Sequence, residues 1–241
     1  MLVAGGSGSI GSAIARQAAA QGWAIAVHGR TAAKVEGVLQ ELAAVDATAQ
    51  GFLTNICPVE AAQTLIAEVI DRFGRLDAVI DCTATGPDGI TGSFPQTDPG
   101  AYATFLGMSV GWLQRLVHAA YPHLAREGGS LISFVSDAGR FAAPHQTLIG
   151  AARAGAIGFI RNFAMEAARD GIRAHCISPS YVDGSDSARR LGSERMAKAA
   201  SRAGLGLPTA EDIAPLAVFL CGPGAARITG QIISVNGGLN A

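Results

Sequence analysis

Long apolar runs are missing. No window approaches the roughly 18 uninterrupted hydrophobic residues that a helix needs to cross a bilayer, so no membrane span is expected. Charge is scarce and balanced: 18 basic and 19 acidic residues leave a formal net charge of −1. That excludes the broad electrostatic footprint of a nucleic-acid or membrane-surface binder. Only four cysteines occur, Cys57, Cys82, Cys176 and Cys221, and none is in C-x-x-C spacing. Their scatter excludes a disulfide framework or a thiolate metal site and suits buried thiols in a reducing cytoplasm. His28, His118, His123 and His175 are dispersed without ligand spacing, so no metal is expected. The start of the chain lacks the basic region and extended apolar core of a cleavable export signal.

What is present is a chain of 241 residues, 49% hydrophobic and with 31 glycines, enough for a core in one domain spanning 1–241. Buried strands are read at "AIAVHGR" (24–30), "RLDAVIDCTA" (75–84), "GSLISFVS" (129–136), "IRAHCISPS" (172–180) and "GQIISVNGG" (230–238). Alanine-rich segments with helical spacing separate them, such as "VEAAQTLIAEVIDRFG", which should stop at Gly74. Such alternation specifies an α/β fold: a doubly wound parallel sheet with helices on both faces and ligands at the carboxyl ends of its strands. The stretch 85–100 reads as a surface loop rather than a domain boundary.

The first strand runs into "VAGGSGSIG" (3–11) and then a helix from about Ser12. Glycines let backbone approach a pyrophosphate, and a helix N-terminus offers it free N–H groups. Four further stretches accompany this loop: "FGRLDAVI" (73–80), "GSLISFVSDAG" (129–139), "PSYVDG" (179–184) and the long C-terminal segment 208–238. Together they resemble the short-chain dehydrogenase/reductase family over essentially the whole chain. The resemblance implies a single Rossmann-type domain and a dinucleotide held by Gly5, Ser7, Ser9, Ile10 and Gly11, by Asn55 and Ile56 around the adenine, and by Cys82, Thr83 and Ala84 beside the nicotinamide ribose. Gly29 stands where an acidic residue would bind the ribose of NAD(H), and Arg30 follows, a guanidinium suited to the 2′-phosphate of NADP(H). Several positions depart from the pattern. Ala4 replaces threonine, Ser9 a glycine, and "CTA" the usual N-A-G, so occupancy of the pocket is left open.

The larger departure concerns the chemistry. In the resembled family a tyrosine exchanges a proton with substrate, a lysine four residues later lowers its pKa, and a serine thirteen residues earlier binds substrate. Ser136 matches that serine. The tyrosine position is Ile149 and the lysine position Arg153, and the relay asparagine falls at Met108 or Ser109. Isoleucine has no transferable proton, and arginine stays charged where lysine can be tuned. His145, on the loop before Ile149, is the substitute acid to weigh. The segment 188–204 falls at the family's substrate lid and carries Arg189, Arg190, Arg195, Lys198 and Arg202 against Glu194, a charge suited to acyl-CoA phosphates.

With these departures, the resemblance implies a non-catalytic subunit of a heterotetramer with an active paralogue, a pattern known in that family, acting on a hydroxy- or ketoacyl compound. One alternative is an NADP(H)-linked reductase active alone, as a homo-oligomer, with another proton donor. A nucleotide-binding sensor or non-redox catalyst is the third reading.

Overall fold

The computed structural model describes residues 1–83 and 88–240. The first half of the chain forms β1 (Leu2–Ala4), α1 (Ser9–Ala19), β2 (Ile25–Gly29), α2 (Ala32–Ala43), β3 (Ala49–Leu53), α3 (Ala61–Phe73) and β4 (Ala78–Asp81). The second half adds α4 (Tyr102–Leu106), a π turn (Gly107–Gly111), α5 (Trp112–Leu124), β5 (Gly129–Phe134), α6 (Thr147–Ala167) and β6 (Ile172–Ser178). The chain ends with α7 (Asp186–Leu191), α8 (Ser193–Ala200), α9 (Ala210–Cys221) and β7 (Ile232–Ser234). All seven strands join one parallel sheet in the order β3-β2-β1-β4-β5-β6-β7. The order reverses between β1 and β4, the switch point at which sheets of this kind bind ligands in a cleft at the carboxyl ends of the strands.

The continuous apolar runs are explained by burial on both faces. Successive side chains alternate across a strand. Leu2, Val79 and Leu131 therefore pack with α3, α5 and α6 around Leu65, Trp112 and Ile160. Their neighbours Val3, Ile80 and Ile132 pack with α1, α2 and α9 around Ile14, Leu42 and Ile213. α3 ends where expected, with Gly74 in the left-handed region at φ 72°. β3 is the strand the sequence pattern misses. It lies at the sheet edge, only Phe52 of "AQGFL" is buried, and no apolar run betrays it.

One further expectation needs correction. Cys57 is exposed in the turn after β3 and Cys82 is half-buried, so only Cys176 and Cys221 are the buried thiols expected; burial pushes both of these up to about 12. The lid region is two helices, because Gly192, at φ 84°, breaks it between α7 and α8. Among the described residues no helix is long and apolar enough to cross a membrane, and no cluster of side chains could hold a metal.

His175 is fully buried on β6. Burial, reinforced by Arg173, depresses its pKa to about 4. The unfolded chain, with an imidazole near about 6.5, takes up the proton first as pH falls. Stability present above pH 6.5 is therefore lost on the way down to about 4. His28, also buried and depressed, adds in the same direction. Thermal melts from pH 7 to 4.5 should show this loss. It should be smaller by up to about 3 kcal/mol in His175→Val, and equal slopes in the two proteins would refute the assignment.

Candidate functional site

The nucleotide end is built on the β1–α1 turn. α1 begins at Ser9, earlier than the sequence suggests, so the glycine motif supplies the helix's own first turn. Gly8 is the N-cap and makes no side-chain capping bond. The first bond into the helix is Ser12 N–H to Gly8 O, at 2.8 Å. The amides of Ser9, Ile10 and Gly11 consequently find no acceptor among the described residues, which is the donor set a phosphate requires. Gly11 is needed for contact rather than flexibility: a Cβ there would lie 2.3 Å from Gly5 O.

His28 braces this turn. Its Nδ1 accepts from Gly5 N–H at 3.2 Å, so Nε2 carries the proton and donates to Thr54 O at 3.0 Å. The ring stacks on Trp112 at a centroid distance of 6.1 Å. The adenine-side residues are occupied locally. Asn55 Oδ1 accepts from Cys57 N–H, while Ile56 is buried in the core and its carbonyl accepts from Arg115. Arg30 is exposed just after β2. Ala84 lies outside the described residues.

At the end of β4, Asp81 is buried, and one oxygen, Oδ1, accepts from Thr83 N–H (3.1 Å), Thr83 Oγ1 (2.5 Å) and Trp112 Nε1 (3.3 Å). Burial raises its pKa against these bonds and against the Arg153 charge. Burial likewise raises the Cys82 thiol well above its ordinary value, and Asp81 adds to it. The hydroxyl of Thr83 is thus spent on Asp81 rather than offered to the cleft. Asp81 lies outside the family motifs, and its one signal in the sequence is a lone carboxylate closing the apolar run "AVID".

β5 leads into Ser136, whose Oγ accepts from Ala138 N–H at 3.3 Å and caps the turn Asp137–Gly139. That turn lies flat on α6, because a Cβ on Gly139 would meet the Arg153 backbone at 2.7 Å. The close contact ties Ser136, Ile149 and Arg153 to one corner. Ile149 is half-buried in a small apolar cluster with Ile90, Phe105, Ala152 and Val110. Arg153 donates to Phe134 O at 3.2 Å; burial lowers its pKa and Asp81 opposes the shift. His145 is exposed, in left-handed backbone at φ 68°, and its carbonyl accepts from Gly92. Tyr181 packs with Ala199, Ala203 and Leu239.

Residues 4–240 match the family model described as enoyl-(acyl carrier protein) reductase. The chain belongs to the short-chain dehydrogenase/reductase family. It is similar to the short-chain reductase protein NovJ of Streptomyces niveus, at 29% identity over 98% of this chain and 92% of that one. It is also similar to 3-oxoacyl-(acyl-carrier-protein) reductase FabG of Staphylococcus aureus, at 28% identity over 99% and 96%. A short-chain type dehydrogenase/reductase from Mycobacterium ulcerans superposes with a TM-score of 0.92 at 25% identity, over 99% of this chain and 88% of that one. Short-chain dehydrogenases/reductases are oxidoreductases that generally bind NAD(P)(H). The unpaired amides at Ser9–Gly11 and the crowding around Gly11 make a cradle that fits the phosphates of such a group.

Proposed function

We propose that this chain is a non-catalytic subunit of a heteromeric NAD(P)-dependent hydroxy- or ketoacyl oxidoreductase, assembled with an active relative of the same fold. The observation carrying this reading is Ile149: thirteen residues after Ser136 and four before Arg153, an aliphatic side chain in an apolar cluster takes the family's tyrosine position. It has no proton to exchange. Arg153, at the lysine position, keeps its charge and donates to Phe134 O. The nucleotide end retains its donors, so Ser9, Ile10 and Gly11 would hold the diphosphate, and Arg30 favours NADP(H) over NAD(H). When bound, that group would supply hydride; this chain's residues would bind and orient it.

A partner surface is available on α6. Ala151, Ala154, Gly155 and Met165 are exposed on one stripe at helical spacing, and Met165 is 83% exposed. Small side chains let a second helix approach closely. On α7, α8 and the turn after them, Arg190, Arg195, Lys198 and Arg202 are exposed and lack ion-pair partners among the described residues, as acyl-CoA phosphates would require.

The test is co-expression with an active short-chain dehydrogenase/reductase encoded beside it. A mixed assembly should co-purify, and sedimentation should give a mass containing both chains. Exclusive recovery of separate homo-oligomers would overturn the proposal.

A further inference from the structure

Lys34 stands in the first turn of α2, four residues after Arg30. Its Nζ lies 3.6 Å from Oδ2 of Asp186, the first residue of α7. The other oxygen of Asp186 accepts from Arg189, which also donates to Gly184 O at 2.9 Å. The carboxylate is thus held between a cation of the sheet body and a cation of its own helix. Among the described residues, Lys34–Asp186 is the only ion pair joining the α7–α8 segment to the rest of the protein.

The surroundings of Lys34 favour an anion. Thr31, the N-cap of α2, makes no side-chain capping bond, and the amides of Ala32 and Ala33 have no acceptor among the described residues. Arg30 adds an exposed guanidinium. Against Lys34 lies an anion of the protein's own, the Asp186 carboxylate.

We infer that Asp186 acts as an internal stand-in for a ligand phosphate. It latches the α7–α8 segment onto Lys34, and the 2′-phosphate of a bound nucleotide competes for that lysine and releases the segment. The inference rests on the nucleotide-cleft reading above. A phosphate monoester carries up to two charges and three acceptor oxygens against one charge and two oxygens on the carboxylate, so the exchange favours the ligand. Both side chains are exposed, at 59% and 48%, which limits the coupling to roughly two- to fivefold in affinity. Coupling is reciprocal: whatever loosens the latch tightens the phosphate, and the phosphate loosens the latch.

The experiment compares adenosine 2′,5′-bisphosphate with 5′-AMP by calorimetry and follows trypsin cleavage after Arg195 by mass spectrometry. Asp186→Ala should tighten the bisphosphate roughly two- to fivefold and leave 5′-AMP unchanged. In the wild type, the bisphosphate but not 5′-AMP should speed cleavage. Lys34→Glu should speed cleavage without ligand and weaken the bisphosphate. Adding Asp186→Lys to Lys34→Glu should restore protection of the segment without restoring bisphosphate affinity, whereas a merely structural ion pair would leave cleavage of the wild type unaffected by the bisphosphate. If both nucleotides bind but Asp186→Ala and ligand leave affinity and cleavage unchanged, the latch is overturned and the cleft reading stands. If neither nucleotide binds the wild type, both fall.

Discussion

Purified alone, the protein is expected to oxidise NADPH with a short 3-oxoacyl thioester no faster than the detection limit, and Ile149→Tyr combined with Arg153→Lys to exceed that limit by about 10²–10⁴-fold. The argument is local. The turn bearing Ser136 is seated on α6 through Gly139, so a phenol at 149 would face the same corner as the Ser136 hydroxyl. A lysine at 153 would carry its charge on a flexible stem beside Asp81, where Arg153 now spends one donor on Phe134 O. Ile149→Tyr alone should gain less, because a guanidinium held by a backbone carbonyl cannot follow the phenol. The measurement is steady-state NADPH oxidation, with nucleotide affinity determined in parallel. Ordinary enzymatic turnover by the unaltered chain would sink the non-catalytic reading. A double variant that binds nucleotide but gains nothing would show that the missing group is elsewhere.

Asp137→Ala should cost about 3–5 kcal/mol, because three donors lose their buried acceptor at about 1–2 kcal/mol each. Asp137 is 3% exposed and accepts from Ser178 Oγ (2.7 Å), Asn236 Nδ2 (2.7 Å) and Asn240 Nδ2 (3.0 Å). It joins the end of β6 and the C-terminal segment to the turn that carries Ser136. The loss should lower the melting temperature by about 10 °C in a protein of this size. Amide exchange in residues 234–240 should rise before that in β5. Asp137→Asn, which keeps one acceptor oxygen, should lose less. A melting temperature unchanged in Asp137→Ala would show that the three donors are satisfied otherwise.

The sheet was legible in the sequence because burial on both faces writes each central strand as an apolar run, and because glycine punctuates the turns. β3 escaped for the opposite reason, since an edge strand with one buried residue carries no such signature. The corner formed by Ser136, Ile149 and Arg153 was legible from spacing along the chain. What spacing could not convey is which groups consume one another. Thr83 stands at a cleft position of the family pattern, yet its hydroxyl is bound to Asp81, and Asn55 caps its own turn. Asp81, His28 and Asp137 act through partners as far as 31, 26 and 103 positions away. The Lys34–Asp186 pair likewise exists only once the chain has folded.

The π turn at Gly107–Gly111 holds one residue more than the helices on either side of it need. Deleting that surplus would let a single regular helix run from Tyr102 to Leu124. It would also swing everything ahead of the turn by about 100° relative to everything behind it. As built, the offset allows one continuous rod to aim Phe105 at Ile149 while Trp112 reaches Asp81. A perfectly straight rod would have to give up one of those two aims.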